Sequence, residues 1–125
     1  MSIQSRLDKL GITLPEAAAP VASYVPVAVS RNVAYISGQL PFIDGELVVG
    51  RLGENVSLSE GIDAARACGL MILAQLQNAR VSLDRVERVV KLGAFVNSTP
   101  DFTDQPKAAN GASELMFDIF GEAGR

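Results

Sequence analysis

Short runs of β-branched and aromatic residues, separated by turn-forming residues, dominate the first half of the chain. Residues 24–29 and 32–40 are two such runs, and they predict two strands joined by a compact turn at Ser30-Arg31. Asp44-Gly45 is the strongest hairpin signal, because both central residues of a type I′ turn need positive φ. It predicts two further short strands, one directly before it and one directly after it.

Apolar residues then recur at helical spacing in the middle of the chain. Ser57-Leu58-Ser59-Glu60 fits a capping box, in which Ser57 accepts from the N3 amide and Glu60 reaches back to the N-cap amide. The apolar face that follows consists of Ile62, Ala65, Gly69, Ile72, Leu73 and Leu76. This combination predicts a long amphipathic helix.

Two more helices are predicted at the ends of the chain. Residues 2–10 are mostly good helix formers, and Gly11 follows them where a C-cap belongs. Near the other end, Pro106 suits the first turn of a helix. The apolar positions after it are Ala109, Ala112, Met116, Ile119 and Phe120. Gly121 or Gly124 is expected to end that helix.

Residues 86–97 predict a further strand that is largely apolar on both sides. Val90, Leu92, Ala94 and Val96 lie on one side, and Val89, Lys91, Gly93 and Phe95 on the other. Such a strand is usually covered on both faces. Helices would cover one face, and a neighbouring subunit is the simplest cover for the second.

The order of elements is strands, helix, strand, helix, with no Gly-rich phosphate loop between a strand and a helix. This order favours an α+β sheet with two helices packed on one face over a nucleotide-binding doubly wound fold. The 125 residues form one domain. Their apolar content of 48% fits either a well-filled core or a buried subunit interface equally well.

The charge balance bears on the class of partner. The formal net charge is −3 and the sequence pI is about 4.8. Nucleic-acid-binding proteins are usually basic, because much of their affinity comes from releasing counterions from phosphates. The balance therefore argues against RNA or DNA as the main partner, although a local basic patch stays possible.

The composition also narrows the chemistry. Cys68 is the only cysteine, so no intrachain disulfide can form, and we interpret its thiol as a small core filler. Histidine is absent, which removes His-based metal sites and any Ser-His or Cys-His pair. The first residues lack an apolar signal core and no apolar run reaches membrane-spanning length, so we expect a cytoplasmic protein without a membrane partner.

Ser37-Gly38-Gln39 is the most informative polar step in the chain. It directly follows the apolar run 33–36, and Pro41 then stops further ladder pairing. A strand that ends in small polar residues places a hydroxyl, an amide and free backbone donors at a sheet edge, where they can line a pocket. Taken alone, the step favours an ordinary exit from a strand into a turn, because Ser and Gly commonly follow strands.

The sequence around this step resembles that of the Rid family, the reactive intermediate deaminase or YjgF-like group. This family is also called the L-PSP endoribonuclease or translation-inhibitor family. Besides Ile36–Gln39, the likeness covers Tyr24-Val25-Pro26, Asp44-Gly45, Asp84-Arg85-Val86, Lys91-Leu92, Phe95-Val96-Asn97 and Asn110-Gly111-Ala112-Ser113. It extends over nearly the whole chain.

The resemblance implies a chorismate-mutase-like fold, in which a mixed sheet is backed by two helices. It also implies a homotrimer whose sheets form a central barrel and whose pockets lie at the subunit junctions. The best-known members of the family hydrolyse reactive enamine and imine acids, such as 2-aminoacrylate, to a 2-oxo acid and ammonia, and the resemblance implies the same activity here. No metal or organic cofactor is implied.

The family pattern assigns roles to five residues. Ser37 and Gly38 match the Ser-Gly at the strand end, where the hydroxyl and nearby backbone amides would hold the reacting polar atoms. Tyr24 and Asn110 match the tyrosine and asparagine of the pocket wall, and Gln39 belongs to the same substrate-binding corner. Without the resemblance, Tyr24 would be interpreted as a core aromatic with its hydroxyl at the surface and Asn110 as a solvent-facing helix residue.

The chain departs from the family pattern at its end. In the family, an arginine that binds the substrate carboxylate follows the stretch that matches residues 121–125, and a terminal strand with a water-positioning glutamate comes after it. Arg125 aligns before that arginine, and Glu122 lies at a helix end. The expectation is a single Rid-like domain without the C-terminal strand segment, either as part of a longer protein, which we favour, or as a short form without deaminase chemistry.

The sequence and the family resemblance are therefore compatible with three functions. The first is cofactor-free deamination of an enamine or imine acid, which depends on the family arginine being present in the full-length chain. The second is a regulatory trimer that binds a 2-oxo acid without turnover. The third is the RNA cleavage by which similar proteins are named, and the acidic balance and absent histidine give it little physical support.

Overall fold

The computed structural model describes residues 2–125. The first helix, α1 (Ile3–Lys9), begins at Ser2, whose side chain accepts a hydrogen bond from the Ser5 amide. Gly11, with φ of +70°, lies just beyond its last turn, as predicted. The helix is anchored to the core by its buried Leu7.

Two strands form the first hairpin: β1 (Val27–Ser30) and β2 (Val33–Ile36) pair antiparallel. Both are shorter than predicted, and the turn lies one residue later, at Arg31-Asn32. These two residues have φ of 50° and 64°, as a two-residue type I′ turn requires. Asparagine tolerates this left-handed conformation better than most residues, which explains why the turn includes it.

The second hairpin confirms the prediction made from Asp44-Gly45. It joins β3 (Phe42–Ile43) to β4 (Glu46–Leu47), and its central residues have φ of 51° and 81°. Its strands are two residues long, so the turn contributes more to this hairpin than the ladder does.

The long helix α2 (Leu58–Asn78) begins with the predicted capping box, in which the Glu60 amide donates to Ser57 Oγ and the Ser57 amide donates to Glu60 Oε1. Its buried stripe is Gly61, Ala67, Gly69, Met71, Leu73, Ala74, Gln75 and Leu76. This stripe is rotated from the predicted one, since α2 packs against α3 and also against β2 and β3. Ile62, Ala65 and Ile72 are consequently only half-buried.

The last helix, α3 (Gln105–Phe120), carries Pro106 in its first turn and ends at Gly121, whose φ is 64°. A 3₁₀ helix, Gly121–Gly124, follows. α3 packs along α2, and the main core cluster joins both helices to α1. Its buried members are Leu7, Leu73, Leu76, Leu83, Leu115, Met116 and Ile119.

The strand predicted over residues 86–97 does not form within the protomer. Its backbone is held at two points, where the Val89 amide donates to Ala123 O at 2.7 Å and the Leu52 amide donates to Asn97 O at 3.0 Å. Residues 90–96 have no backbone hydrogen bond to any residue of the described chain. The prediction of a strand was wrong for the described protomer, because residues 90–96 find no backbone hydrogen-bond partner among residues 2–125.

The predicted α+β class is confirmed. Backbone pairing runs in both directions, with two antiparallel hairpins and parallel bridges from Leu52 to Val56 and Ser98. None of the helices within residues 2–125 combines the length and apolarity that a bilayer crossing requires.

Candidate functional site

The Ser37 corner, which we define as Ser37, Gly38 and Gln39, follows β2 directly. The Ser37 amide donates to Pro26 O at 2.9 Å, which extends the β1–β2 pairing by one step. Ser37 is half-buried and Gly38 is exposed. The strand register thus places the hydroxyl at the end of the hairpin, as the sequence predicted.

The side chain of Gln39 folds back onto Ser37. Its Nε2 donates to Ser37 O at 3.0 Å and to Ser37 Oγ at 3.3 Å. The Gln39 backbone carbonyl accepts from Cys68 Sγ at 3.4 Å, which fastens the corner to α2. Burial raises the pKa of the Cys68 thiol, so the thiol keeps the hydrogen that this contact needs.

Several hydrogen-bond donors of the corner remain free. The backbone amides of Gly38, Gln39 and Leu40 have no acceptor among residues 2–125. Ser37 Oγ accepts from Gln39 Nε2 and donates to no group of the described chain, so its own hydrogen is free. A Cβ placed on Gly38 would meet nothing within 4 Å, and the space beside it is therefore open. Free donors on neighbouring residues suit an oxygen acceptor, for example a carboxylate or a carbonyl.

Within one protomer the corner is an open ledge. Two shallow grooves lie elsewhere, one between the start of α1 and residues 80–84, the other around residues 53–60. Tyr24 is exposed, two residues before Pro26 on the segment that neighbours Ser37. Asn110 is exposed on α3. In the part of the chain that the structure describes, neither side chain is hydrogen-bonded to the corner. A protomer therefore brings together Ser37, Gly38 and Gln39. It does not join Tyr24 or Asn110 to them by a hydrogen bond.

Other residues of the conspicuous motifs have structural roles. Asp84 Oδ1 accepts from the Ile3 amide at 2.7 Å and so holds the start of α1. Asn97 Nδ2 donates to Gly50 O at 2.9 Å. Gly111 lies against the backbone of Ile62, where a side chain would collide. These residues therefore hold loops and helices in place, and they do not add hydrogen-bonding groups to the Ser37 corner.

Gln75 is the member of the site that sequence reasoning missed. Its Nε2 donates to Ala18 O at 2.7 Å and lies 3.3 Å from Gln39 Oε1. The available signal was a glutamine on the same helical stripe as Cys68 and Met71, at spacing i, i+3, i+7. No group of three His, Cys, Asp or Glu side chains within residues 2–125 is arranged to hold a metal ion.

The comparisons with known proteins agree with this architecture. A family model described as "YjgF/chorismate_mutase-like, putative endoribonuclease" matches residues 4–125. Protein TCP17 of Trypanosoma cruzi is 50% identical over 121 residues, which are 96% of this chain and 76% of that protein.

Two solved structures are similar. A crystal structure from Shewanella oneidensis MR-1, described as a "putative endoribonuclease", is 38% identical with a TM-score of 0.94, over 100% of this chain and 83% of that one. Atu1372 from Agrobacterium tumefaciens, described as a protein with unknown function, is 43% identical with a TM-score of 0.88, over 98% of this chain and 76% of that one. With the family model matching almost every residue, the chain belongs to the YjgF/chorismate-mutase-like family.

Proposed function

We propose that the chain hydrolyses a small enamine or imine acid, such as 2-aminoacrylate, to a 2-oxo acid and ammonia. The observation that carries the proposal is the Ser37 corner, where one hydroxyl and nearby backbone amides have no acceptor among residues 2–125 and the space beside Gly38 is open. A 2-imino acid offers carboxylate oxygens as acceptors for such donors. Charge-assisted hydrogen bonds of this kind are the stronger ones, so they can hold a small anion.

The reaction needs little covalent help from the protein. The enamine first gains a proton on carbon and becomes the imine; water then adds to the C=N carbon, and the amino group leaves as ammonia when the C=O bond forms. Ser37 and Gly38 hold the acid in place and favour the geometry in which water reaches that carbon. Tyr24 and Asn110 shape the wall, as the family resemblance implies, and the arginine that the family uses for the carboxylate lies beyond the stretch matching residue 125.

A second subunit would complete the site. Residues 90–96 leave their backbone groups unpaired among the described residues, and Val90 and Phe95 expose their side chains there. Unpaired backbone beside exposed apolar side chains favours pairing with another chain. A homotrimer that covers this surface would also give the open ledge at Ser37 its second wall.

The test is ammonia release from enzymatically generated 2-aminoacrylate, with the protein made from its complete gene and its length verified by intact mass. We expect release faster than the protein-free background. Loss of a hydrogen bond to a charged group should make Ser37→Ala about tenfold slower or more. Ser59→Ala, an exposed serine in the first turn of α2, is the matched control and should keep the full rate.

Two outcomes would redirect the proposal. Equal ammonia release with and without the protein, together with saturable binding of pyruvate, would favour a regulatory binding trimer. RNA cleavage that is lost on Ser37→Ala or on substitution of Asn110 would favour the endoribonuclease activity by which the S. oneidensis protein is described.

A further inference from the structure

Gln75 is a buried amide in the last turn of α2, on a side of the helix where the other buried side chains are apolar. It is 2% exposed. Cys68 and Met71 share its stripe of α2, and all three contact the segments around Ala18 and Gln39. The stripe therefore fastens two loops to the helix through polar and sulfur contacts.

The orientation of the Gln75 amide follows from its neighbours. Ala18 O is a backbone carbonyl, which can only accept, so the nitrogen of Gln75 must face it. The second hydrogen on the same nitrogen is then directed to Gln39, and Gln39 must turn its oxygen toward Gln75. Gln75 thus holds the oxygen end of the Gln39 amide toward α2, while Ser37 O, which is also a carbonyl that can only accept, holds the nitrogen end.

The orientation of the Gln39 amide decides whether a donor or an acceptor faces Ser37 Oγ. Because the Gln39 oxygen faces Gln75, its nitrogen faces Ser37, where its two hydrogens go to Ser37 O and Ser37 Oγ. Ser37 Oγ accepts from Gln39 Nε2, so its own hydrogen is free to be donated to a ligand. If Gln39 were turned around, its oxygen would take that hydrogen and the ligand would meet a lone pair.

We propose that Gln75 is a positioning residue that acts through Gln39 and keeps the Ser37 hydroxyl as a donor for the bound acid. The identity of the ligand rests on the proposed function, whereas the direction of the two amides does not. Gln75 Oε1 supports the idea, because it is buried with no partner among residues 2–125. Packing alone gives no reason to retain an unsatisfied buried acceptor, and an apolar side chain of the same size would avoid it.

The first experiment measures the orientation of the Gln39 side-chain amide in the whole protein. Nuclear Overhauser contacts between the Gln39 Nε2 hydrogens and Ser37 are compared in the wild type and in Gln75→Met, which keeps the side-chain length and removes the amide. Gln77→Met, at an exposed position of the same helix, is the matched control. We expect strong contacts in the wild type and the control and clearly weaker ones in Gln75→Met, where the donor that holds the Gln39 oxygen is removed and Ser37 O alone orients the amide; contacts that persist unchanged in Gln75→Met would overturn the proposal.

The second experiment measures the dissociation constant of pyruvate in a double-mutant cycle. A hydrogen bond of ordinary strength corresponds to about a two- to tenfold weaker affinity for Gln75→Met. Gln75 acts on the ligand only through Gln39 and Ser37. Adding Gln75→Met to a Ser37→Ala protein should therefore change its affinity for pyruvate by no more than about twofold. An equal loss in both backgrounds would show a general structural effect and overturn the proposal.

The two experiments separate the proposal from the function on which it rests. If pyruvate does not bind the wild-type protein, the proposed function fails, and the Overhauser contacts alone then decide whether Gln75 orients Gln39. If pyruvate binds and the contacts do not depend on Gln75, the positioning role fails and the proposed function stands.

Discussion

Replacing Gly111 by alanine tests how closely the two long helices approach. In most helices this change stabilises by about 0.5–1 kcal/mol, because glycine loses more backbone freedom on folding. Here an added Cβ would collide with the carbonyl oxygen of Ile62 and would lie 2.9 Å from the Ile62 carbonyl carbon and 3.1 Å from the Arg66 nitrogen. All three are backbone atoms of α2, so one helix has to move.

Overfilling a packed interior in this way costs about 1–3 kcal/mol, which exceeds the helix-propensity gain. We therefore expect a net loss of about 1–2 kcal/mol in the free energy of unfolding, or about 4–8 °C in Tm for a chain of this size. Urea denaturation followed by circular dichroism measures it.

Gly69→Ala is the matched control, since its Cβ would meet Leu115 Cδ2 at 2.9 Å, the end of a flexible side chain. Its stability should stay within about 1 kcal/mol of the wild type. A Gly111→Ala protein as stable as the wild type would refute the close backbone approach of α2 and α3.

Three further predictions concern charge, assembly and the thiol. Hydrogen bonds from the Ser57 backbone and side chain lower the pKa of Glu60, so its stabilising contribution is present at neutral pH and is lost as the pH falls through that lowered value. The stability difference between wild type and Glu60→Gln should shrink in denaturant titrations between neutral pH and acid; a constant difference would contradict the capping role. The proposed trimer should dissociate in Phe95→Ser, which sedimentation would show as a shift to protomers, whereas a wild type that sediments only as protomers would contradict the proposed assembly. Burial raises the pKa of Cys68, so alkylation at pH 8 should be much slower in the folded than in the urea-unfolded protein, and equal rates would contradict that burial.

The elements that the sequence predicted well depend on local physics. Asp44-Gly45 makes its turn because two consecutive residues accept positive φ, and Ser57 and Glu60 cap α2 through groups three residues apart. Gly121 ends α3 for the same local reason. Tertiary packing does not have to be known for any of these.

The elements that the sequence did not predict depend on distant partners. Residues 86–97 have the composition of a strand, but a strand needs a paired neighbour, and residues 90–96 have no backbone partner in the part of the chain that the structure describes. The turn at Arg31-Asn32 is set by the register of its hairpin, which a propensity pattern does not fix to one residue.

The residues of the candidate site also differ in whether local sequence or distant packing reveals them. Ser37 and Gly38 were found because a polar step at the end of a strand is visible in the chain itself. Gln75 was missed because its significance arises only when α2 is packed against segments 57 and 36 residues away in sequence.

The most direct measurement of the central claim is a crystal structure of the protein soaked with pyruvate. We expect a pyruvate oxygen within hydrogen-bond distance, about 2.7–3.1 Å, of both Ser37 Oγ and the Gly38 amide. Pyruvate bound elsewhere, or a Ser37 corner that stays empty at saturating ligand, would contradict it.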